Sequence, residues 1–135
     1  MDDRIEALLS ERFGKDALMA LATQENGVPS VRAVNALYMD GAFYCITDAR
    51  SNKMRQIAAS AAVGLCGEWF TGHGRGENLG WIGAKENEAL AQRLRGAFAS
   101  WLGNGHANLE DQNTVILKVT LADGVLLSRG TRYEW

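Results

Sequence analysis

The stretch Thr47-Asp48-Ala49-Arg50-Ser51-Asn52-Lys53 places hydroxyls and cations where an apolar strand pattern gives way to a helical one. A helix N-terminus carries free backbone N–H groups and the positive end of the helix dipole, so it favours an anion. Thr47 and Ser51 can donate hydroxyl hydrogen bonds there, and Lys53 supplies a point charge. Arg32 belongs to the same constellation. Asp40-Gly41 reads as a tight turn, and counting back from it puts Arg32 near the Thr47–Asp48 end of the neighbouring strand. Arg32, Thr47, Ser51 and Lys53 can therefore converge on one phosphate. The same spacing also describes an ordinary capped helix with solvated charges, and most capped helices bind nothing.

Other chemistries find less support. Gly72-His73-Gly74-Arg75-Gly76-Glu77-Asn78 reads as a glycine-rich loop, but it contains neither G-x-G-x-x-G nor G-x-x-x-x-G-K-[ST]. His73 offers a proton donor or substrate contact, although a mobile surface histidine of that loop is the commoner case. His73 and His106 are the only histidines, and neither has a second ligand at metal spacing, so no metal site is expected. No G-x-S-x-G elbow supports a serine triad. Trp69, Phe70 and Trp81 have the faces to stack on a planar ring, although barrel core or subunit interface is the commoner role. No catalytic acid or base stands out.

The elements that would position these residues are mostly strands. Ile5, Leu8, Leu9 and Phe13 recur at helical spacing over residues 4–13, with Gly14 as a stop. Residues 17–23, 30–39 and 42–47 then read as three strands of a meander, joined by turns at Asn26-Gly27 and Asp40-Gly41. A short helix over 52–59 has Ser51 as N-cap, and a fourth strand spans 62–70. Leu79–Gly83 reads as a short strand, and residues 86–102 as the longest helix, closed by Gly103. A last hairpin pairs Val115–Leu121 with Val125–Ser128 across Asp123-Gly124. Six or seven strands with helices as punctuation suggest a closed or nearly closed barrel, which removes sheet edges.

Composition narrows the class. The 135 residues form one domain, 1–135, and 47% hydrophobic content suffices for a core without staples. A formal net charge of −2 argues against nucleic acid or an anionic membrane as partner. Cys45 and Cys66 lie in apolar runs and match no zinc or redox spacing, so they read as reduced, buried thiols of a cytoplasmic protein. Met1-Asp2-Asp3-Arg4 is too polar for a signal peptide, and no apolar run reaches bilayer length.

From about Ala17 to Phe70 the chain resembles the pyridoxamine 5'-phosphate oxidase-like FMN-binding split barrels, in particular their small, general-stress-protein-like members. Two segments carry the resemblance. Val28-Pro29-Ser30-Val31-Arg32-Ala33-Val34-Asn35 is similar to the family's strand with Arg-x-Val. Phe43-Tyr44-Cys45-Ile46-Thr47, followed by Ser51-Asn52-Lys53-Met54-Arg55-Gln56-Ile57, is similar to its aromatic strand and phosphate segment, and Gly64-Leu65-Cys66 fits the strand that follows. The resemblance implies a mainly β fold, a six-stranded antiparallel split barrel with flanking helices. It also implies FMN as cofactor, a small-molecule substrate, and a homodimer with FMN at the subunit interface. By motif position Arg32, Lys53, Ser51 and Thr47 would hold the FMN phosphate, and the backbone near Val34 and Asn35 would run along the isoalloxazine ring. Asn52 belongs to the same segment but stands where the family often has arginine, one fixed charge fewer.

The oxidase's terminal Arg-Leu-His substrate motif is missing, and the chain instead ends Ser128-Arg129-Gly130-Thr131-Arg132-Tyr133-Glu134-Trp135, so pyridoxal phosphate synthesis is not carried over. The resemblance implies a flavin-dependent oxidoreductase acting on an unknown small substrate. A non-enzymatic flavin-binding or stress-related module, and a barrel without cofactor, are the alternatives. Trp69, Trp81 and Trp101 are expected to expose an apolar patch that a second copy covers.

Overall fold

The computed structural model describes residues 1–105 and 107–135, so the reading of His106 lies outside the described residues. Helix α1 (Asp3–Phe13) is capped by Asp2, whose carboxylate accepts from the Ile5 N–H at 2.9 Å. Strands β1 (Ala17–Glu25), β2 (Val28–Met39) and β3 (Ala42–Asp48) form the expected meander. Its turns use Asn26-Gly27 and Asp40-Gly41, all four residues at positive φ. Helix α2 (Asn52–Ala59) follows, then β4 (Ala62–Gly67) and β5 (Phe70–Trp81). A 3₁₀ turn at Lys85–Asn87 leads into α3 (Glu88–Ala97) and α4 (Ala99–Leu102), and β6 (Thr114–Ser128) and β7 (Thr131–Glu134) complete the chain.

The strands are ordered β3-β2-β1-β4-β5-β6, and β6 pairs back onto β3, which closes a six-stranded antiparallel barrel. β7 extends the far end of β6. Helix α1 closes one end of the barrel. Its Phe13 ring lies 5.7 Å from Phe43 and 5.6 Å from Phe70, and Glu6 accepts from the Tyr38 hydroxyl. Helix α2 closes the other end, with Met54 and Ile57 buried and Gln56 reaching Thr23 of β1. A second core lies outside the barrel. Leu37 and Ile116 are buried there under Leu94, Phe98 and Leu102 of the α3–α4 layer. Leu37 and Tyr38 are neighbours in sequence yet serve different cores, as strand alternation requires.

The structure corrects several expectations, most of them through glycine. Residues 72–78 are not a loop but the middle of the twelve-residue strand β5, which also absorbs the short strand expected at 79–83. The expected 62–70 strand stops at Gly67, where Glu68 and Trp69 turn the chain into β5. On β5, Gly72 and Gly74 face inward and Thr71, His73 and Arg75 outward. A Cβ on Gly74 would sit 2.5 Å from the Thr120 carbonyl oxygen and 2.9 Å from a Val119 methyl, so these glycines admit close strand approach.

The Gly74→Ala variant is expected to lose about 1–3 kcal/mol of stability. Gly96→Ala, where nothing lies within 4 Å, should instead gain about 0.5–1 kcal/mol because α3 prefers alanine. Chemical denaturation of the two variants measures both.

Asp123-Gly124 is likewise not a turn. It lies within the fifteen-residue β6, and Gly124 makes room for Trp135, whose ring would meet a Cβ at 2.4 Å. The terminal hairpin turns instead at Arg129-Gly130, both at positive φ. The long helix expected over 86–102 breaks at Phe98, whose φ of −100° and ψ of 15° are not helical. Cys45 is buried as expected, but Cys66 is exposed. Among the described residues no helix is long and apolar enough to cross a membrane.

Candidate functional site

Strand β2 presents Arg32 on the same face as Leu21 and Met19 of β1, towards the barrel end that α2 closes. Both hydrogens of Arg32 Nη1 are engaged, by the Leu21 carbonyl at 3.3 Å and the Thr23 hydroxyl at 2.7 Å. Nη2 donates to Gln56 Oε1 at 3.2 Å. All three partners are neutral.

Across from Arg32, α2 begins at Ser51, whose hydroxyl accepts from the Met54 N–H at 3.4 Å. This is the N-cap read from the sequence. Lys53 follows on the first turn, half-buried, and forms no salt bridge among the described residues. Its ammonium is held below the usual lysine range, first by burial and then by the charge of Arg32. Burial also lowers the Arg32 guanidinium. Asp48, the carboxylate nearest in sequence, forms no salt bridge with either cation, although its charge offsets part of the lowering at Lys53. It bonds Arg50 at 2.9 Å, which drops its pKa to about 2. Thr47 ends the inward-facing series Phe43, Cys45, Thr47 of β3, and its hydroxyl has no partner among the described residues.

Lys53 lies in the first turn of α2 beside the Ser51 hydroxyl and close enough to Arg32 to feel its charge, Asp48 offsets only part of this, and neither cation forms a salt bridge among the described residues. Like charges brought together out of water are costly unless an anion joins them. The donor set fits a phosphate: a guanidinium with free N–H groups, an ammonium, the hydroxyls of Thr47 and Ser51, and the open end of α2.

Other expected site residues stand apart. Asn52 is exposed and accepts from Arg55 Nη2 at 3.4 Å, so it turns away from Arg32. Asn35 points to the opposite face of β2 from Arg32 and Val34. It donates to Asp16 at 3.0 Å, and Asp16 also accepts from Trp101 Nε1 at 3.1 Å. The Asn35 side chain is therefore engaged away from Arg32, and both residues pair with β1, Val34 opposite Met19 and Asn35 opposite Leu18. The aromatic candidates do not line the site. Phe70 is in the barrel core, Trp81 packs on the second core with its indole N–H on Leu109, and Trp69 lies exposed in the β4–β5 turn. His73 is not on a mobile loop but on β5, its ring paired with Asp123 at 2.9 Å. Sequence reading missed Thr23 and Gln56, which hold Arg32. Each is a buried polar residue on an otherwise apolar face.

Cys45 sits inside the barrel close enough to Lys53 to feel its charge, yet burial dominates and pushes the thiol up to about 12. The unfolded thiol ionises near 9, so between 9 and about 12 the native state holds a proton that the unfolded state has lost. Stability contributed by the neutral thiol is thus complete below pH 9 and is lost as pH rises through this window. Unfolding curves from pH 8 to 11 should fall more steeply for the wild type than for Cys45→Ala.

The expected tryptophan patch is absent, since Trp81 and Trp101 are half-buried against the α3–α4 layer. An apolar face exists elsewhere. Leu18 and Val31 are each 70% exposed, and the register puts them on the outward face of β1–β2 with Ala20, Ala22 and Ala33. A cavity of about 510 Å³ opens on this face between Ala22, Val31, Gly64, Cys66 and Trp135.

Comparison with known proteins agrees with the fold. A family model described as pyridoxamine 5'-phosphate oxidase matches residues 1–127. No curated protein matches significantly. Solved structures with the same fold include general stress protein 26 from Bacillus anthracis, at TM-score 0.73 and 16% identity, covering 98% of this chain and 99% of that one. A FAD-binding protein from Mesorhizobium loti has TM-score 0.68 and 16% identity, covering 87% and 89%. A protein described as an F420 reductase has TM-score 0.64 and 18% identity, covering 85% and 94%.

Proposed function

This chain belongs to the pyridoxamine 5'-phosphate oxidase family, and from that premise we propose that it binds FMN and works as a flavin-dependent oxidoreductase on a small-molecule substrate. The observation that carries the reading is the Arg32–Lys53 cation pair, neither member in a salt bridge among the described residues, beside the Ser51 cap of α2. Arg32 and Lys53 bind the phosphate, Ser51 and Thr47 add hydroxyl contacts, and the backbone at Val34 and Asn35 flanks the ring. Bound FMN supplies the redox chemistry, and the protein supplies orientation and access. This division fits a site in which no acid–base pair stands out.

A second copy completes the site in this reading. The outward face with Leu18 and Val31 is apolar and exposed, and a two-fold contact would bury it on both copies at once.

A deazaflavin is the second reading. One structural neighbour is described as an F420 reductase, and exposed Asn52 leaves the phosphate end with one cation fewer than an arginine would provide. Anaerobic mixing of the flavin-loaded protein with NADH or NADPH tests the oxidoreductase assignment. Bleaching of the visible flavin band, with colour returning on addition of an acceptor, supports it. A band that neither nicotinamide reduces overturns it and leaves a flavin-binding module.

A further inference from the structure

We propose that Gln56 and Thr23 are positioning residues that turn one edge of Arg32 toward the cofactor phosphate, and that Gln56 must be neutral for Arg32 to keep its charge for that phosphate. The inference rests on the FMN reading above. Thr23 and Gln56 are 3% and 6% exposed, among the few buried polar residues of the chain. Their hydrogens fall into one consistent order. The Thr23 hydroxyl donates to Gln56 Oε1 and accepts from Arg32 Nη1, and Gln56 Oε1 also accepts from Arg32 Nη2. The Gln56 amide nitrogen is directed at the Ser30 hydroxyl, 3.5 Å away, which fixes which end of the amide faces Arg32.

Thr23 and Gln56 thus occupy the outer edge of the guanidinium, between Nη1 and Nη2, and Leu21 takes the remaining Nη1 hydrogen. What remains is the side edge, Nε–H and the second hydrogen of Nη2, neither with a protein acceptor among the described residues. These two donors are parallel and spaced for two oxygens of one phosphate. A carboxylate at position 56 would occupy the same place, accept the same bonds and hold Arg32 as well. It would also cancel the charge. Glutamine provides the grip without the neutralisation.

The test compares FMN with riboflavin, which differs by the phosphate alone, through quenching of flavin fluorescence in the full-length protein stripped of cofactor. The wild type should prefer FMN. Gln56→Glu should reduce the FMN-to-riboflavin affinity ratio by at least about tenfold, because the charge is lost while the fold keeps its hydrogen bonds. Gln56→Met, which cannot accept a bond, should reduce it by about threefold or more through loss of position. Equal weakening of both ligands would make Gln56 a structural residue only and overturn the inference. So would an unchanged ratio in a wild type that prefers FMN, and the cofactor reading would then still stand. A wild type indifferent to the phosphate overturns both.

Discussion

Replacing Arg32 and Lys53 together by alanine is expected to raise the FMN dissociation constant by about two to four orders of magnitude. Each charged hydrogen bond to a phosphate contributes about 1.5–3 kcal/mol, and tenfold in affinity corresponds to about 1.4 kcal/mol. The fold should survive. Thr23 and Gln56 remain bonded to each other when Arg32 is gone, and Lys53 has no salt bridge among the described residues to lose. The cofactor-free double variant should even be relieved of the repulsion between two half-buried cations. Fluorescence titration with FMN, alongside thermal melts of the cofactor-free protein, separates the two effects. A variant that binds FMN as well as the wild type would place the phosphate elsewhere.

Val31→Asp is expected to convert a dimer into a monomer and to weaken FMN binding with it. Val31 sits 70% exposed on the outward face of β2, directly across from Ala22 of β1. A two-fold contact through this face would bury the new carboxylate twice, once from each copy, with no cation among its same-face strand neighbours Ala20, Ala22 and Ala33. The isolated chain would tolerate the substitution, since the side chain is in water there. Light scattering at micromolar concentration should give the mass of two chains for the wild type and of one for the variant. A wild-type mass of one chain would remove the second copy from the site.

The barrel was legible because its signals were local. Asn26-Gly27 and Asp40-Gly41 adopt the positive φ that their residue types favour, and the first sets the register that pairs Arg32 with Leu21. Counting back from the second misleads at Arg32, because β2 and β3 pair only from Leu37 to Met39 and Thr47 pairs with Val115 of β6. Asp123-Gly124 carries the same signal and misleads, because there the glycine serves contact with Trp135 and Asp123 serves His73. The actual turn, Arg129-Gly130, has an arginine at positive φ that no turn preference singles out. Strand β5 was hidden because glycine has no hydropathy. Its inward positions Gly72 and Gly74 are empty of side chains so that Val119, Leu121 and Phe70 can fill the space, and the alternation shows only as exposed Thr71, His73 and Arg75.

At the site, the residue types were legible and their support was not. Arg32, Ser51 and Lys53 follow from a strand, a turn and a cap. Thr23 and Gln56 lie thirty-three residues apart, and nothing local pairs them. Their one trace is a polar residue continuing an apolar face, Thr23 after Met19 and Leu21, and Gln56 between Met54 and Ile57. The outward apolar face was missed for a related reason. Leu18 and Val31 alternate with buried neighbours in ordinary strands, and only the closed barrel reveals that no described residue covers them.

The most direct test of the central claim is the identity of the chromophore. The protein is purified from cells, its visible spectrum recorded, and the molecule released on denaturation weighed by mass spectrometry. A yellow protein that releases FMN is expected, or one that takes up added FMN in the wild type but not in the Arg32→Ala, Lys53→Ala variant. A colourless protein that refuses FMN, or a released chromophore without a phosphate, would contradict the claim.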